Sequence, residues 1–160
     1  MVVDRKEISK YLFKKSKLKD EMCQELDYGI NLILCWSGFE AFISQKYDRS
    51  YGNGKHIFCS EYSELFKNEL ESYKQPVQNL YDELNRMGLE DMTPRSNRQK
   101  ISINSINNLE EILTVVHRVR SNFIHGGKEM GNRRNNILLP SSFKVIYSFF
   151  ELILKEENWI

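Results

Sequence analysis

Residues 107–127, NNLEEILTVVHRVRSNFIHGG, read as one α-helix with both ends marked. Asn107 and Asn108 are N-cap residue types. Each is followed three positions later by a glutamate, Glu110 and Glu111, as in a capping box, where the two side chains satisfy free backbone N–H groups reciprocally. Leu109, Ile112, Leu113, Val116 and Phe123 recur at the spacing of one buried helical face. Gly126 and Gly127 end the helix, because glycine takes the left-handed cap conformation without a Cβ clash.

The same reading extends outward from this helix. Residues 141–156 form a last apolar helix with Phe143, Ile146, Phe149, Phe150, Ile153 and Leu154, reached through a loop and Pro140. Upstream, Glu21 to Tyr47 reads as one long helix, with Asp20 as its N-cap. Met22, Leu26, Ile30, Ile33 and Leu34 are its apolar positions, continued by Trp36, Phe39, Phe42 and Ile43, which places it at the centre of a bundle. Tyr51-Gly52-Asn53-Gly54 reads as a loop. Ser60 or Ser63 then caps an element running to Tyr73, and Pro76 opens a short helix to Met87. Residues 88–104 are a polar connection. Residues 4–17 are basic and suit a short helix contacting through Ile8, Tyr11 and Leu12. No repeat and no strand alternation competes. The expectation is an all-α bundle of about five helices, two of them long core helices. It forms one domain over 1–160, with a basic arm at 1–19 and a helical core at 20–156.

Composition agrees. The chain has 160 residues, 41% apolar and 28% charged, which excludes whole-chain disorder. Three Pro and eight Gly argue against a many-turned β-sandwich. The net charge of +1 excludes a uniformly basic chain but hides a separation. Arg5, Lys6, Lys10, Lys14, Lys15, Lys17 and Lys19 crowd the N-terminus. Arg118, Arg120, Lys128, Arg133 and Arg134 crowd 117–134, and acidic residues dominate 61–90. With no apolar run of about 18 residues and no apolar leader, the chain is expected in the cytoplasm without a membrane span. Cys23, Cys35 and Cys59 lack zinc-knuckle spacing and read as reduced core thiols. Gly52-Asn53-Gly54-Lys55 lacks the spacing of a phosphate loop, and no His or His–Cys set has metal spacing.

The candidate chemistry sits on the C-terminal half of the 107–127 helix. Arg118, Ser121, Asn122 and His125 fall on one stripe. Arg120 lies about 140° from His125, so those two converge only through a distorted last turn or a partner chain. The same residues also suit a plain helix end, where cations favour the macrodipole and Asn and Ser bond backbone groups. Glu40, mid-helix on the most apolar element, is costly if buried alone. It is expected to pair with Arg118 or Arg120, to cap a dimer contact, or to face solvent. His117 reads as a partly buried helix residue rather than a second catalytic histidine.

Arg120-Ser121-Asn122-Phe123-Ile124-His125-Gly126-Gly127-Lys128 resembles the Arg-x4-His motif of the HEPN superfamily, all-α domains found in many prokaryotic ribonuclease toxins and defence proteins. Trp36-Ser37-Gly38-Phe39-Glu40-Ala41-Phe42 is similar to the central helix of its single-domain members. The resemblance spans roughly 20–156. It implies a metal-independent endoribonuclease of toxin or antiphage type, with no cofactor, in which a 2′-hydroxyl attacks the adjacent phosphate and leaves a 2′,3′-cyclic end. His125 would move a proton and Arg120 would stabilise the developing charge. Asn122 would orient phosphate or imidazole. The family's variable spacing lets Arg118 qualify in place of Arg120. The resemblance further implies a homodimer with two facing motifs, RNA as partner, and an antitoxin such as a small nucleotidyltransferase. Ser121, Lys128, Arg133 and Arg134 would contact the RNA backbone. Tyr11, Phe13, Tyr51 or Tyr147 would stack on bases where they are not core. The alternative is a non-catalytic domain of the same fold that binds RNA, nucleotide or a partner protein.

Overall fold

Aromatic burial sets the order of the helices. The computed structural model describes residues 4–17, 25–89, 100–126 and 134–160. Within them lie six α-helices and one 3-10 turn: α1 (Arg5–Lys15), α2 (Glu25–Tyr47), α3 (Tyr51–Asn68), the turn Leu70–Ser72, α4 (Lys74–Met87), α5 (Leu109–Gly126) and α6 (Asn135–Glu156). The all-α expectation of about five helices holds: α2–α6 fall within 20–156, and α1 is the short helix expected in the basic arm. The two chain segments beside the polar connection meet in a single antiparallel bridge, Leu89 to Ile101.

α2 and α6 form the centre. Trp36, Phe39 and Phe42 from α2 and Phe143, Phe149 and Phe150 from α6 are essentially inaccessible. Phe39 meets Phe150 edge-on at 5.5 Å and Phe58 of α3 at 4.9 Å. Each such ring contributes on the order of 2 kcal/mol by leaving water. α6 is long and apolar enough to span a membrane by length and composition, yet 67% of its apolar window is buried inside the bundle. Its apolar surface is taken up by the core. It begins at Asn135 rather than near 141, with Pro140 inside its second turn.

The basic arm is a structural helix. Asp4 caps α1 by accepting from the Lys6 N–H. Ser9 Oγ donates to the Gly38 carbonyl at 2.7 Å, and a Cβ on Gly38 would lie 3.0 Å from the Ser9 carbonyl oxygen. The two backbones therefore touch, and Phe13 stacks on Tyr147 at 4.9 Å.

The expected loop at Tyr51–Gly54 is instead the first turn of α3, so neither Ser60 nor Ser63 starts that helix. Only residues 48–50 separate α2 from α3, and Asp48 turns the chain with φ 51°. A Cβ on Gly54 would stand 2.6 Å from Ile43 Cγ2. Glycine here permits a close helix crossing rather than a loop. At α5, Asn108 is the cap, accepting from the Glu111 N–H at 3.2 Å. The Glu111 carboxylate reaches further back, to the Asn104 N–H at 2.7 Å, and so anchors the preceding loop. Cys35 and Cys59 are buried free thiols whose pKa is pushed up to about 12 by burial. Cys23 and the Asp20 cap lie outside the described residues.

Candidate functional site

α5 presents two polar stripes, and its regularity keeps them apart. The helix runs unbroken to Gly126. At 3.6 residues per turn, Arg118 and His125 lie about 20° apart around the axis, and Arg120 lies about 60° from His117. No distorted last turn brings Arg120 toward His125 within one chain.

The first stripe holds Arg118, Ser121, Asn122 and His125. His125 is exposed, while Arg118, Ser121 and Asn122 are partly buried. Burial lowers the Arg118 guanidinium from its ordinary value. Phe123 anchors this end of α5 against α2: a Cβ on Gly29 would fall 2.1 Å from the ring. Beside that contact, Leu26, Ile30 and Ile124 are 45%, 46% and 47% exposed. The apolar pattern of α2 places Leu26 and Ile30 in the core. They instead leave an apolar surface at the end of the molecule that carries His125.

The second stripe faces a cleft. Trp36, fully buried, donates from Nε1 to Glu40 Oε1 at 2.8 Å. Arg120 Nη2 stands 4.0 Å from Glu40 Oε2, one of the outcomes the sequence left open for Glu40. Arg120 Nε and Tyr51 Oη are buried with no hydrogen-bond partner among the described residues. His117 lies against both Trp36, at 5.4 Å, and Tyr51, at 5.6 Å between ring centroids. Burial, and next the Arg120 charge, lower the His117 pKa and favour its neutral form. Burial raises the Tyr51 phenol. Of these groups, Glu40, Tyr51 and His117 line an open cleft of about 630 Å³, together with Arg5, Ala41, Ser44, Ser50 and Gly52.

Sequence reasoning missed this cleft because it gave Tyr51 to a loop. The available signal was the four-residue spacing of Trp36 and Glu40 together with the three-residue spacing of His117 and Arg120.

The remaining candidates separate. Arg134 sits away from both stripes, at the α4–α6 junction. Its Nε lies 3.4 Å from Glu83 Oε1 and its Nη2 donates to the Gly88 carbonyl. Glu83, only 5% exposed, also takes Arg86 at 2.8 Å. Arg134 is thus committed to neutralising a buried carboxylate. Lys128 and Arg133 lie outside the described residues. Of the aromatic candidates, Phe13 and Tyr147 are core, Tyr51 is partly buried, and Tyr11 is 59% exposed with Lys15 Nζ 5.5 Å over its ring. Among the described residues, no three His, Cys, Asp or Glu side chains gather as a metal cage.

No family model, curated protein or solved structure matches the chain. The functional reading therefore rests on the geometry and on the motif.

Proposed function

We propose that the chain is an endoribonuclease of toxin or antiphage-defence type with a HEPN-like fold, acting in the cytoplasm as a homodimer. The observation that supports it best is the exposed His125 on one stripe with Arg118, Ser121 and Asn122, beside the apolar surface of Leu26, Ile30 and Ile124. One imidazole has to serve as both base and acid if each chain works alone. A second copy seated on the apolar surface would supply a second imidazole beside the first.

The reaction then runs without a metal. One histidine takes the 2′-hydroxyl proton as that oxygen attacks phosphorus. The P–O5′ bond breaks, and the leaving oxygen receives a proton from the other histidine. A guanidinium bridges the non-bridging oxygens as charge builds on them. Arg118 suits that role from the same chain, and Arg120 suits it from the partner. Asn122 holds the phosphate or the ring. An antitoxin such as a small nucleotidyltransferase would silence the activity in the cell.

The test is cleavage of single-stranded RNA by purified protein in EDTA. His125→Ala should abolish product while leaving the melting curve unchanged. Arg118→Ala and Arg120→Ala, measured side by side, identify the working arginine. Full cleavage by the His125 variant sinks the assignment. One observation favours a second reading: Arg120 faces Glu40 and not His125, as a binding domain of the same fold would tolerate. RNA bound with no product in the wild-type chain decides for that reading.

A further inference from the structure

The cleft beside Glu40 carries chemistry that phosphodiester cleavage does not use. Its wall is aromatic, with Tyr51 and His117 tilted 42° to one another. Its polar group is a carboxylate, with the Glu40 side chain 35% exposed and one oxygen held by Trp36. An ionised carboxylate has about four lone-pair positions, so the Trp36 and Arg120 contacts leave acceptor capacity facing the cleft. At its mouth, Arg5 is half exposed; its Nη1 donates to Ser44 Oγ at 2.8 Å and lies 3.9 Å from Asp48. The volume of about 630 Å³ falls within the range of small-ligand sites.

We propose that this cleft seats a guanine base, with Glu40 accepting from its N1–H and 2-amino group, Tyr51 and His117 packing on its face, and Arg5 meeting its phosphate. Single-stranded RNA is read by this combination of stacking and Watson–Crick edge contacts. Of the four bases, only guanine sets two adjacent donors on one edge to match a carboxylate. Neutral His117 packs on the base without adding a charge that would draw Glu40 away. His117 precedes His125 by eight residues, about 12 Å along the helix axis. A few nucleotides of single strand cover that span, so the cleft would select which phosphodiester is cut. That last consequence rests on the ribonuclease reading; base binding itself does not.

The experiment is therefore a binding measurement on the full chain. Guanosine, inosine, adenosine, cytidine and uridine 5′-monophosphates are titrated while the emission of Trp36 is followed in a Trp159→Phe background. The guanosine nucleotide should bind at least about tenfold tighter than the other four, since a hydrogen bond to a charged group is worth that factor or more. The inosine nucleotide, which lacks only the 2-amino group, tests the pairing without altering the protein. Glu40→Gln keeps an acceptor for Trp36 and should lose at least tenfold in guanosine nucleotide affinity. Equal binding of all five, competition by inorganic phosphate alone at the same concentration, or unchanged affinity in Glu40→Gln each overturn the proposal. Guanosine selectivity in a chain that cleaves no RNA upholds it and removes the ribonuclease reading instead.

Discussion

Gly29 is a sensitive probe of the seating of the His125 end. It lies on α2 under the Phe123 ring, and a Cβ there would stand 2.1, 2.4 and 2.6 Å from three ring carbons. Carbon atoms rest at about 3.5 to 4.0 Å, so Gly29→Ala requires the ring to move by roughly 1.5 Å. Rotation about the ring axis does not relieve a clash that already involves Cζ and both Cε atoms. Overpacking of this kind costs about 1 to 3 kcal/mol. Replacing a mid-helix glycine by alanine returns about 1 kcal/mol through helix propensity. The net expectation is a loss of about 1 kcal/mol, or a melting temperature lower by roughly 2 to 4 °C for a chain of this size. Propensity alone predicts the opposite sign. In a Phe123→Ala background the clash is gone, and Gly29→Ala should stabilise by about 1 kcal/mol, so the two positions couple by about 2 kcal/mol. His125 follows Phe123 by two residues, so cleavage should fall further than the loss of folded protein explains. Circular dichroism melts of the four proteins in the cycle decide the matter. A Gly29→Ala single variant that melts higher than wild type refutes the packing argument.

Two further outcomes follow from other parts of the molecule. Ile30→Glu places a charge in the exposed apolar surface at α2, and light scattering should find the chain monomeric with an intact helical spectrum and no RNA cleavage; a persisting dimer would remove Leu26, Ile30 and Ile124 from the interface. Partial burial raises the Glu157 carboxyl, but hydrogen bonds from Lys46 and Tyr62 outweigh it and hold its pKa below the usual 4.5. That stabilisation is complete above the unfolded-state value and disappears as pH falls through the lower folded-state one. Lys46→Met should therefore cost about 1 to 2 kcal/mol at neutral pH and less on acidification, the pair being partly exposed. A constant difference down to about pH 3 contradicts the linkage.

The helix content was legible wherever burial and periodicity agree. α5 announces itself by Asn108 at one end and by four aliphatic residues at one spacing, and α6 by its phenylalanines. The α2–α3 corner was not legible, because Tyr51-Gly52-Asn53-Gly54 has the composition of a turn. What makes it helical is tertiary: Gly54 must let α3 approach Ile43 after a three-residue connection. Leu26 and Ile30 lie about 140° and 180° around α2 from the buried Phe39, so they belong to a second apolar stripe, which the structure leaves exposed. With apolar residues on more than one face, periodicity does not say which stripe finds partners. The basic charge of 5–19 was visible, but not that Ser9 and Phe13 would bind the segment to the bundle.

The same distinction governs the two arginines. Sequence context favours Arg120, which stands five residues before His125, whereas helical geometry favours Arg118. The structure gives each a separate environment. Arg120 shares a face with His117 and reaches Glu40, whose other oxygen is fixed by a buried tryptophan. Arg118 shares the His125 face. A straight helix holds those faces roughly 100° apart or more, so one guanidinium does not serve both within a chain. If the chain cleaves RNA as proposed, either Arg118 meets the scissile phosphate in cis and Arg120 stays with Glu40, or Arg120 leaves Glu40 and acts across a dimer. The second course separates a carboxylate and a guanidinium that are both partly shielded from water, and recovers that cost only if a phosphate takes the carboxylate's place. The comparison of Arg118→Ala with Arg120→Ala reads that exchange directly: loss of cleavage in the Arg120 variant alone means that it takes place, and loss in the Arg118 variant alone means that it does not.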